Sequence, residues 1–298
     1  GDVPENYERF IERLFDYLIS ESNEKPKRIN IFTTNYDLMF ERTFDKFLFN
    51  NPLVYFNDGS RGINKKYINS SNYYLNVTHS GYNDNFRREV PTINLFKLHG
   101  SLSWELDKDR IAVLHSNNDN IKLIDEAANN VNCDIKQIKN IINNCFDKSS
   151  EIDKFIENFN EEVSKLGVNE GKLQNFYTEY KSLNIINPDK YKFAQTVLEQ
   201  HYYQLIRLFS YELEKKQAVL IVFGFSFADE HLKEIFERSL SNPELQVYFI
   251  SHSKGGQEKI KSKFSGYKNI TYLPSEFSKT KKGDFNYLIS LLGDSDEK

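Results

Sequence analysis

Apolar residues recur along this chain in two patterns, one typical of amphipathic helices and one typical of buried strands. Helical spacing first marks Asn6–Ile19. Short runs of β-forming residues predict strands at Ile29–Phe32, Asn94–Leu98, Ala218–Phe223, Gln246–Ser251 and Ile270–Leu273. Helical periods follow at Thr34–Phe49, Asp229–Leu240, Gln257–Phe264 and Phe285–Leu292. Strands and helices that alternate at these lengths predict an α/β fold with a doubly wound parallel sheet of the Rossmann-like type.

The run Ala218–Phe223 gives the strongest strand signal in the chain. Its apolar residues are continuous, which predicts a strand buried on both faces of a parallel sheet. Ile111–Leu114 predicts a shorter strand. The intervening stretch Asn50–Thr92 is rich in turn residues and holds two strand-like pieces, Val54–Phe56 and Tyr73–Val77.

A change of composition near residue 116 predicts an insertion. From there to about residue 187 the chain is rich in Asn, Lys, Glu and Ile, with helical periods at 135–145 and 152–163. Pro188 then introduces another long helical pattern. We therefore expect three parts: residues 1–115 as the first part of a Rossmann domain, 116–190 as a helical insertion, and 191–298 as the second part.

Charge and cysteine content narrow the class of protein. The net charge is −4, with 39 basic and 43 acidic residues, which argues against nucleic acid as the main partner. The apolar runs are far shorter than the roughly 20 residues of a membrane span, and no leader peptide is recognisable. Two cysteines, Cys133 and Cys145, are too few for a disulfide framework or a four-cysteine zinc site. We expect a cytoplasmic protein without a structural metal.

Polar residues and glycines follow three of the predicted strands at the point where each strand ends. The groups are Thr34, Asn35 and Asp37; His99 and Gly100; and Gly224 and Ser226. A doubly wound sheet brings the carboxyl ends of its strands to one crevice, where ligands bind. An amide, a carboxylate, an imidazole and close backbone approach at glycine together suit a nucleotide.

Each group also has a purely structural explanation. Thr34 with Asp37, and Ser226 with Asp229, have the spacing of a helix capping box. His99 could be an ordinary structural histidine. These alternatives explain the threonine and the serine, but no capping argument requires Asn35.

The three motifs together resemble the sirtuin-like family. They read Thr-Thr-Asn-Tyr-Asp (33–37), Lys-Leu-His-Gly-Ser (97–101) and Phe-Gly-Phe-Ser-Phe-Ala-Asp-Glu-His (223–231). Within that family, they are most similar to the bacterial branch of NAD-consuming antiphage defence proteins. The resemblance covers about Ile29–Glu41, Asn94–Trp104 and Tyr191–Ser251, and the helical segment is a divergent insertion.

The resemblance implies a role for each residue of the crevice. Asn35 matches the asparagine that holds the nicotinamide ribose and positions the attacking water, and His99 matches the catalytic histidine. Asp37 matches the acidic residue near the nicotinamide amide. Gly224 and Ser226 match a turn against the adenosine ribose and phosphates. We also assign Thr34 and Gly100 to the NAD-binding set.

Two departures from the family pattern bear on this assignment. The family opens with a strand and a glycine-rich phosphate loop, whereas the only glycine in residues 1–28 is Gly1. Either that segment is missing from this sequence or the pyrophosphate site is incomplete. Ser251 and His252 also follow a strand where the family often has Asn.

The expected function is hydrolysis of NAD⁺ to nicotinamide and ADP-ribose in an antiphage defence system. The classical deacylating relatives carry a four-cysteine zinc module, which this chain cannot form. Because uncontrolled NAD loss would kill the host cell, we expect gating by a homo-oligomer or by a partner such as a HerA-type ATPase. The alternatives are a non-catalytic sensor of NAD or ADP-ribose and a structural subunit with a vestigial crevice.

Overall fold

The computed structural model describes residues 3–22, 25–81, 87–114, 122–123, 126–127, 129–130, 158, 161–162, 170–181, 196–278 and 281–293. The α-helices are α1 (Val3–Ser20), α2 (Met39–Asn50), α3 (Glu170–Lys181), α4 (Thr196–Glu214), α5 (Glu230–Ser239), α6 (Lys254–Lys263) and α7 (Phe285–Leu291). The strands are β1 (Arg28–Thr33), β2 (Tyr55–Asn57), β3 (Ser60–Arg61), β4 (Lys66–Ile68), β5 (Thr78–His79), β6 (Arg88–Glu89), β7 (Thr92–Lys97), β8 (Trp104–Asp107), β9 (Arg110–Val113), β10 (Val219–Phe223), β11 (Gln246–Ile250) and β12 (Ile270–Leu273).

The chain divides into two compact units. One contains Gly1–Ser101, Asp107–Val113 and Ile186–Lys298, and the other contains Leu102–Leu106 and Leu114–Ile185. The assignment of these parts as two halves of a Rossmann domain and a helical insertion stays a prediction. Of the predicted helical runs at 135–145 and 152–163, only 158, 161 and 162 are described, and these three are helical. Both cysteines lie outside the described residues.

The first parallel sheet has the strand order β1-β7-β2. Every residue of β7 is buried, as expected for a central strand. Side chains alternate along it, so that Ile93 and Leu95 pack with α1 and α2 in one core while Phe96 and Leu98 belong to a second core. Lys97 lies an even number of positions after Ile93 and Leu95, so its side chain points to the same face of the sheet, towards α2.

The second parallel sheet has the order β10-β11-β12. Its strands are connected through α5 and α6, and α4 precedes it in the chain. The core around this sheet is largely aromatic, with Phe227, Phe236, Phe249 and Phe264 in mutual ring contact. The predicted α/β fold of parallel strands alternating with helices is confirmed.

The stretch between β2 and β7 is more irregular than the main sheets. Strand β4 pairs with β3 and with β9, and β5 pairs with β6; all three pairs are antiparallel. The predicted strand-like piece Val54–Phe56 corresponds to β2. The prediction of a strand at Tyr73–Val77 is wrong, because a 3₁₀ helix spans Ser70–Tyr74. Asn69 caps this helix by accepting a hydrogen bond from the Ser71 amide.

The prediction that the apolar run of β10 is buried on both faces is wrong. Val219 is 64% exposed and Ile221 is 40% exposed, whereas Val222, which points to the opposite face, is buried. Among the described residues, β10 pairs only with β11, so it is an edge strand. An edge strand with one covered face leaves every second side chain in contact with solvent.

Two helices begin at other residues than predicted. Helix α2 begins at Met39 and not at Thr34, and its N-cap residue, Leu38, makes no capping hydrogen bond with its side chain. Helix α6 begins at Lys254, where Ser253 accepts a hydrogen bond from the Gly256 amide, so the glycine pair belongs to the first turn. Both errors have the same cause: several neighbouring residues could each cap the helix or interrupt it, so the sequence does not fix its first residue.

Candidate functional site

The site is built on the adjacent carboxyl ends of β1 and β7. These strands are parallel and in register, with Thr33 opposite Lys97. The Leu98 amide donates a hydrogen bond of 2.8 Å to the Thr33 carbonyl, which extends the pairing by one residue. The loop that carries Asn35 and the turn that carries His99 therefore leave the sheet side by side.

The segment from Thr34 to Leu38 is a loop, held locally by two polar side chains. Thr33 Oγ1 accepts a hydrogen bond of 3.1 Å from the Asn35 amide. Asp37 Oδ1 accepts one of 2.9 Å from the Met39 amide at the start of α2. Asn35 is exposed, and Asp37 and Thr34 are half-buried. The capping role considered for Thr34 is wrong, since α2 starts five residues later and Asp37 bonds to its first amide.

Tyr7, which belongs to α1 and not to the strand ends, lies close to this loop. Burial raises the pKa of its phenol, and the negative charges of Asp37 and Glu41 raise it further, while a hydrogen bond with the Asn35 side chain opposes them. The ring itself packs edge-on against Phe40 at 4.9 Å between centroids.

A buried ion pair lies directly under the loop. Lys97 is 3% exposed and Glu41 is 8% exposed, and Nζ lies 3.2 Å from Oε1. Nζ also donates to the backbone carbonyls of Asn35, at 3.5 Å, and of Asp37. Removal of one member of a buried ion pair typically costs about 3–5 kcal/mol because the other charge is left buried.

His99 faces Asp229, which lies at the start of α5. The distance between His99 Nε2 and Asp229 Oδ2 is 3.1 Å, and both side chains are mostly buried. The hydroxyl of Tyr202, on α4, donates to the same carboxylate oxygen at 3.4 Å. The other oxygen, Oδ1, caps α5 by accepting from the Leu232 amide at 3.1 Å. One carboxylate therefore joins α4, α5 and the His99 turn.

The titration of these groups follows from their surroundings. Burial is the largest influence on the Asp229 carboxyl and raises its pKa, but the His99 and Leu232 hydrogen bonds and the charge of nearby His231 outweigh it, so the pKa is lowered. Burial and the Asp229 charge raise the pKa of the Tyr202 phenol above its ordinary value. Asp229 is therefore an anion beside His99 at neutral pH.

The third motif forms a loop with two residues in the left-handed region. Gly224 has φ of 66° and Phe227 has φ of 52°. A Cβ at Gly224 would meet no atom within 4 Å, so its backbone borders open space. Ser226 is exposed and its carbonyl accepts from Lys263 Nζ at 2.9 Å. The capping role considered for Ser226 is wrong, because Asp229 caps α5.

The structure links the three predicted groups, but through residues that the sequence analysis did not assign to the site. Lys97 connects the β7 end to the Asn35 loop, and Asp229 connects His99 to the segment after Ser226. Gly100 is buried in the His99 turn with φ of 87°, and its amide donates to the Lys97 carbonyl at 3.2 Å. Both linking residues belong to the quoted motifs; their charge at strand and helix ends was the available signal.

Neither a metal cluster nor a membrane-spanning helix occurs in the described part of the chain. No group of three or more His, Cys, Asp or Glu side chains among those residues is arranged to hold a metal ion. The helices described there are too short or too polar to cross a bilayer.

Comparison with known proteins identifies a family. The model of the SIR2-like domain matches residues 29–273, which include all three strand-end motifs and most of the chain. A comparison with curated protein sequences gave no significant match.

Proposed function

The chain belongs to the SIR2-like domain family, and we propose that it hydrolyses NAD⁺ to nicotinamide and ADP-ribose. Membership of the family implies that the domain binds and processes NAD. The hydrolase activity is supported by the contact between His99 and Asp229 at the strand ends, since this contact prepares an imidazole to accept a proton.

The reaction needs few groups from the protein. The bond between C1′ of the ribose and the nicotinamide nitrogen breaks, and its electron pair neutralises the positively charged ring. The oxygen of a water molecule bonds to C1′ and loses one proton. Because the leaving group already carries a positive charge, no acid has to protonate it, and a base with an oriented water is sufficient.

His99 supplies the base in this proposal. With Nε2 facing the Asp229 carboxylate as a donor, Nδ1 carries the lone pair that can accept a proton from water or from a ribose hydroxyl. The carboxylate also stabilises the imidazolium that forms, in the same way as the aspartate of a Ser-His-Asp triad.

Asn35 orients the water and the ribose. Asn35 is exposed at the end of β1, so its side-chain amide oxygen can accept a hydrogen bond from a water or a ribose hydroxyl. We assign Thr34, Asp37 and Gly100 to the nicotinamide end of NAD.

Gly224 and Ser226 contact the adenosine ribose and phosphates in this arrangement. The open space at Gly224 and the exposed position of Ser226 support this assignment.

The biological setting follows from the resemblance of the motifs. We propose a role in antiphage defence, with the activity gated by homo-oligomer formation or by a HerA-type ATPase. We expect no zinc, because a four-cysteine module cannot be built from two cysteines.

Incubation of the protein with NAD⁺, followed by chromatographic measurement of nicotinamide and ADP-ribose, tests the activity. We expect both products in equal amounts. Tight binding of ADP-ribose by calorimetry with no release of nicotinamide over hours would instead favour a sensor that binds NAD without cleaving it. The absence of a glycine-rich loop in residues 1–28 is the observation that favours this second function.

A further inference from the structure

Lys97 lies on β7, the strand that the His99 turn follows. Among the described residues of the site on this strand, only Lys97 contacts both the Asn35 loop and α2. It is the last residue of β7, and His99 follows two positions later. Its side chain is almost completely buried on the face of the sheet that packs against α1 and α2. A cation at such a position requires partners for its charge and its donors.

The three N–H donors of the Lys97 ammonium have three partners. One is the Glu41 carboxylate, which balances the charge at 3.2 Å. The others are the carbonyls of Asn35, at 3.5 Å, and of Asp37. Two of the three contacts are therefore made with the backbone of the loop that carries the proposed water-orienting residue.

The hydrogen bonds that the side chains of Thr33 and Asp37 accept from nearby backbone amides act over shorter distances in the chain. Thr33 bonds to Asn35 and Asp37 bonds to Met39, each two positions away. Such bonds shape the loop but do not fix it to another strand. Lys97 is 62 positions from Asn35 and ties the loop to β7, so it sets the position of Asn35 relative to His99.

We propose that Lys97 is a positioning residue. Its ammonium, neutralised by Glu41, holds the backbone at Asn35 and Asp37, so that the Asn35 amide and the His99 imidazole both act at the same atom of the substrate. The proposal rests on the proposed NAD hydrolysis. Catalytic groups displaced by about 1 Å can lose roughly 10²-fold in rate, so a rigid link between the two loops has a large kinetic effect.

The test compares variants that separate positioning from folding. Lys97→Met alone would leave Glu41 buried with no cation, and the variant could fail to fold. The double variant Lys97→Met with Glu41→Leu removes both charges, and such apolar replacements are often neutral for stability. The surface pair Lys46 of α2 and Glu8 of α1, at 2.6 Å, provides the control Lys46→Met with Glu8→Leu.

Two measurements are made on each variant. Steady-state nicotinamide release separates kcat from KM. Hydrogen exchange of the amides at 34–38, read by mass spectrometry, reports the loop without any need for activity. For the buried double variant we expect kcat to fall about 10²-fold, KM to stay within a few-fold, and loop exchange to accelerate, with an unchanged melting temperature. The surface control should resemble wild type.

The outcomes are distinguishable. Unchanged kcat and unchanged loop exchange in the buried double variant would overturn the proposal. An equal loss in the surface control would also overturn it, because the loss would then not depend on the contacts of Lys97. If wild type releases no nicotinamide, the proposed function fails, and loop exchange alone decides whether Lys97 holds the loop.

Discussion

His99 and Asp229 lie 130 positions apart in the chain, yet Nε2 of one is 3.1 Å from Oδ2 of the other. The contact joins the turn after β7 to the first turn of α5. Because the carboxylate is anionic and also bonds to Tyr202 and Leu232, its position is fixed from three sides. A fixed carboxylate defines both the orientation and the protonated nitrogen of its histidine.

Asp229→Asn should lower the rate of nicotinamide release with little change in folding. Asn is as good an N-cap as Asp, so α5 keeps its first hydrogen bond, but the imidazolium loses its negative partner. We expect kcat to fall roughly 10- to 100-fold, part of the 10²–10⁴-fold that a general base contributes. The matched control is Asp284→Asn, which keeps the equivalent cap on Tyr287 of α7 and should leave kcat unchanged.

Tyr7→Phe should weaken the orientation of Asn35. The substitution keeps the ring packing against Phe40 and removes only the hydroxyl, and with it any hydrogen bond to the Asn35 side chain. Loss of one such hydrogen bond costs about 1 kcal/mol, so we expect kcat to fall roughly 5-fold and the unfolding free energy to change little. Tyr272→Phe, on β12, should have no kinetic effect; an equal effect of the two substitutions would contradict the assigned contact.

Gly224→Ala should raise the KM for NAD⁺. A Cβ at Gly224 enters open space, so in the absence of ligand the cost is only the strain of a positive φ, about 1 kcal/mol. Gly266→Ala is a close control, since Gly266 also has a positive φ and no neighbour within 4 Å. Both variants should lose stability in urea titrations, and Gly266→Ala should lose more, because its φ of 102° lies further from the left-handed region near about 57°. If their KM values are also equal, Gly224 does not border bound NAD.

The stability of the protein should fall in mild acid because of His201. Burial lowers the pKa of this imidazole from 6.5 to about 4. Between these values the unfolded chain binds a proton that the folded chain does not, so stability is lost as the pH falls through this range. At pH 5 the loss is about 2 kcal/mol relative to neutral pH.

Urea titrations at about pH 7.5 and pH 5 measure this effect in wild type and in His201→Leu. The variant should show a smaller decrease in stability between the two pH values than wild type does. The same decrease in both proteins would mean that other groups account for it.

The sequence identified the framework of the fold because its signals are long and periodic. The helix Asn6–Ile19 and the strands at Gln246 and Ile270 reappear within one to three residues as α1, β11 and β12. The start of α2 could not be located, because Thr34 and Asp37 both suit a cap and the sequence gives no information on which amide each contacts. The exposure of β10 depends on which strands pair with it, a non-local property that an apolar run does not contain.

The candidate site, too, could be predicted from the sequence only in part. Asn35 and His99 were found because each follows a strong strand signal. Tyr7 was assigned to an amphipathic stripe, and its contact with Asn35 depends on how α1 packs. Lys97 would not be expected at a buried position, since a charged residue is almost never fully buried unless it is paired, and its partner Glu41 is on another element.

One measurement tests the central claim most directly: the rate of nicotinamide release from NAD⁺ by wild type, Asn35→Ala and His99→Ala, each confirmed as folded by circular dichroism. The exposed residues Asn64 and His79 provide the controls Asn64→Ala and His79→Ala. We predict release by wild type and by both controls, with a loss of at least about 10²-fold in Asn35→Ala and in His99→Ala. No release from wild type, or wild-type rates in both site variants, would contradict the account.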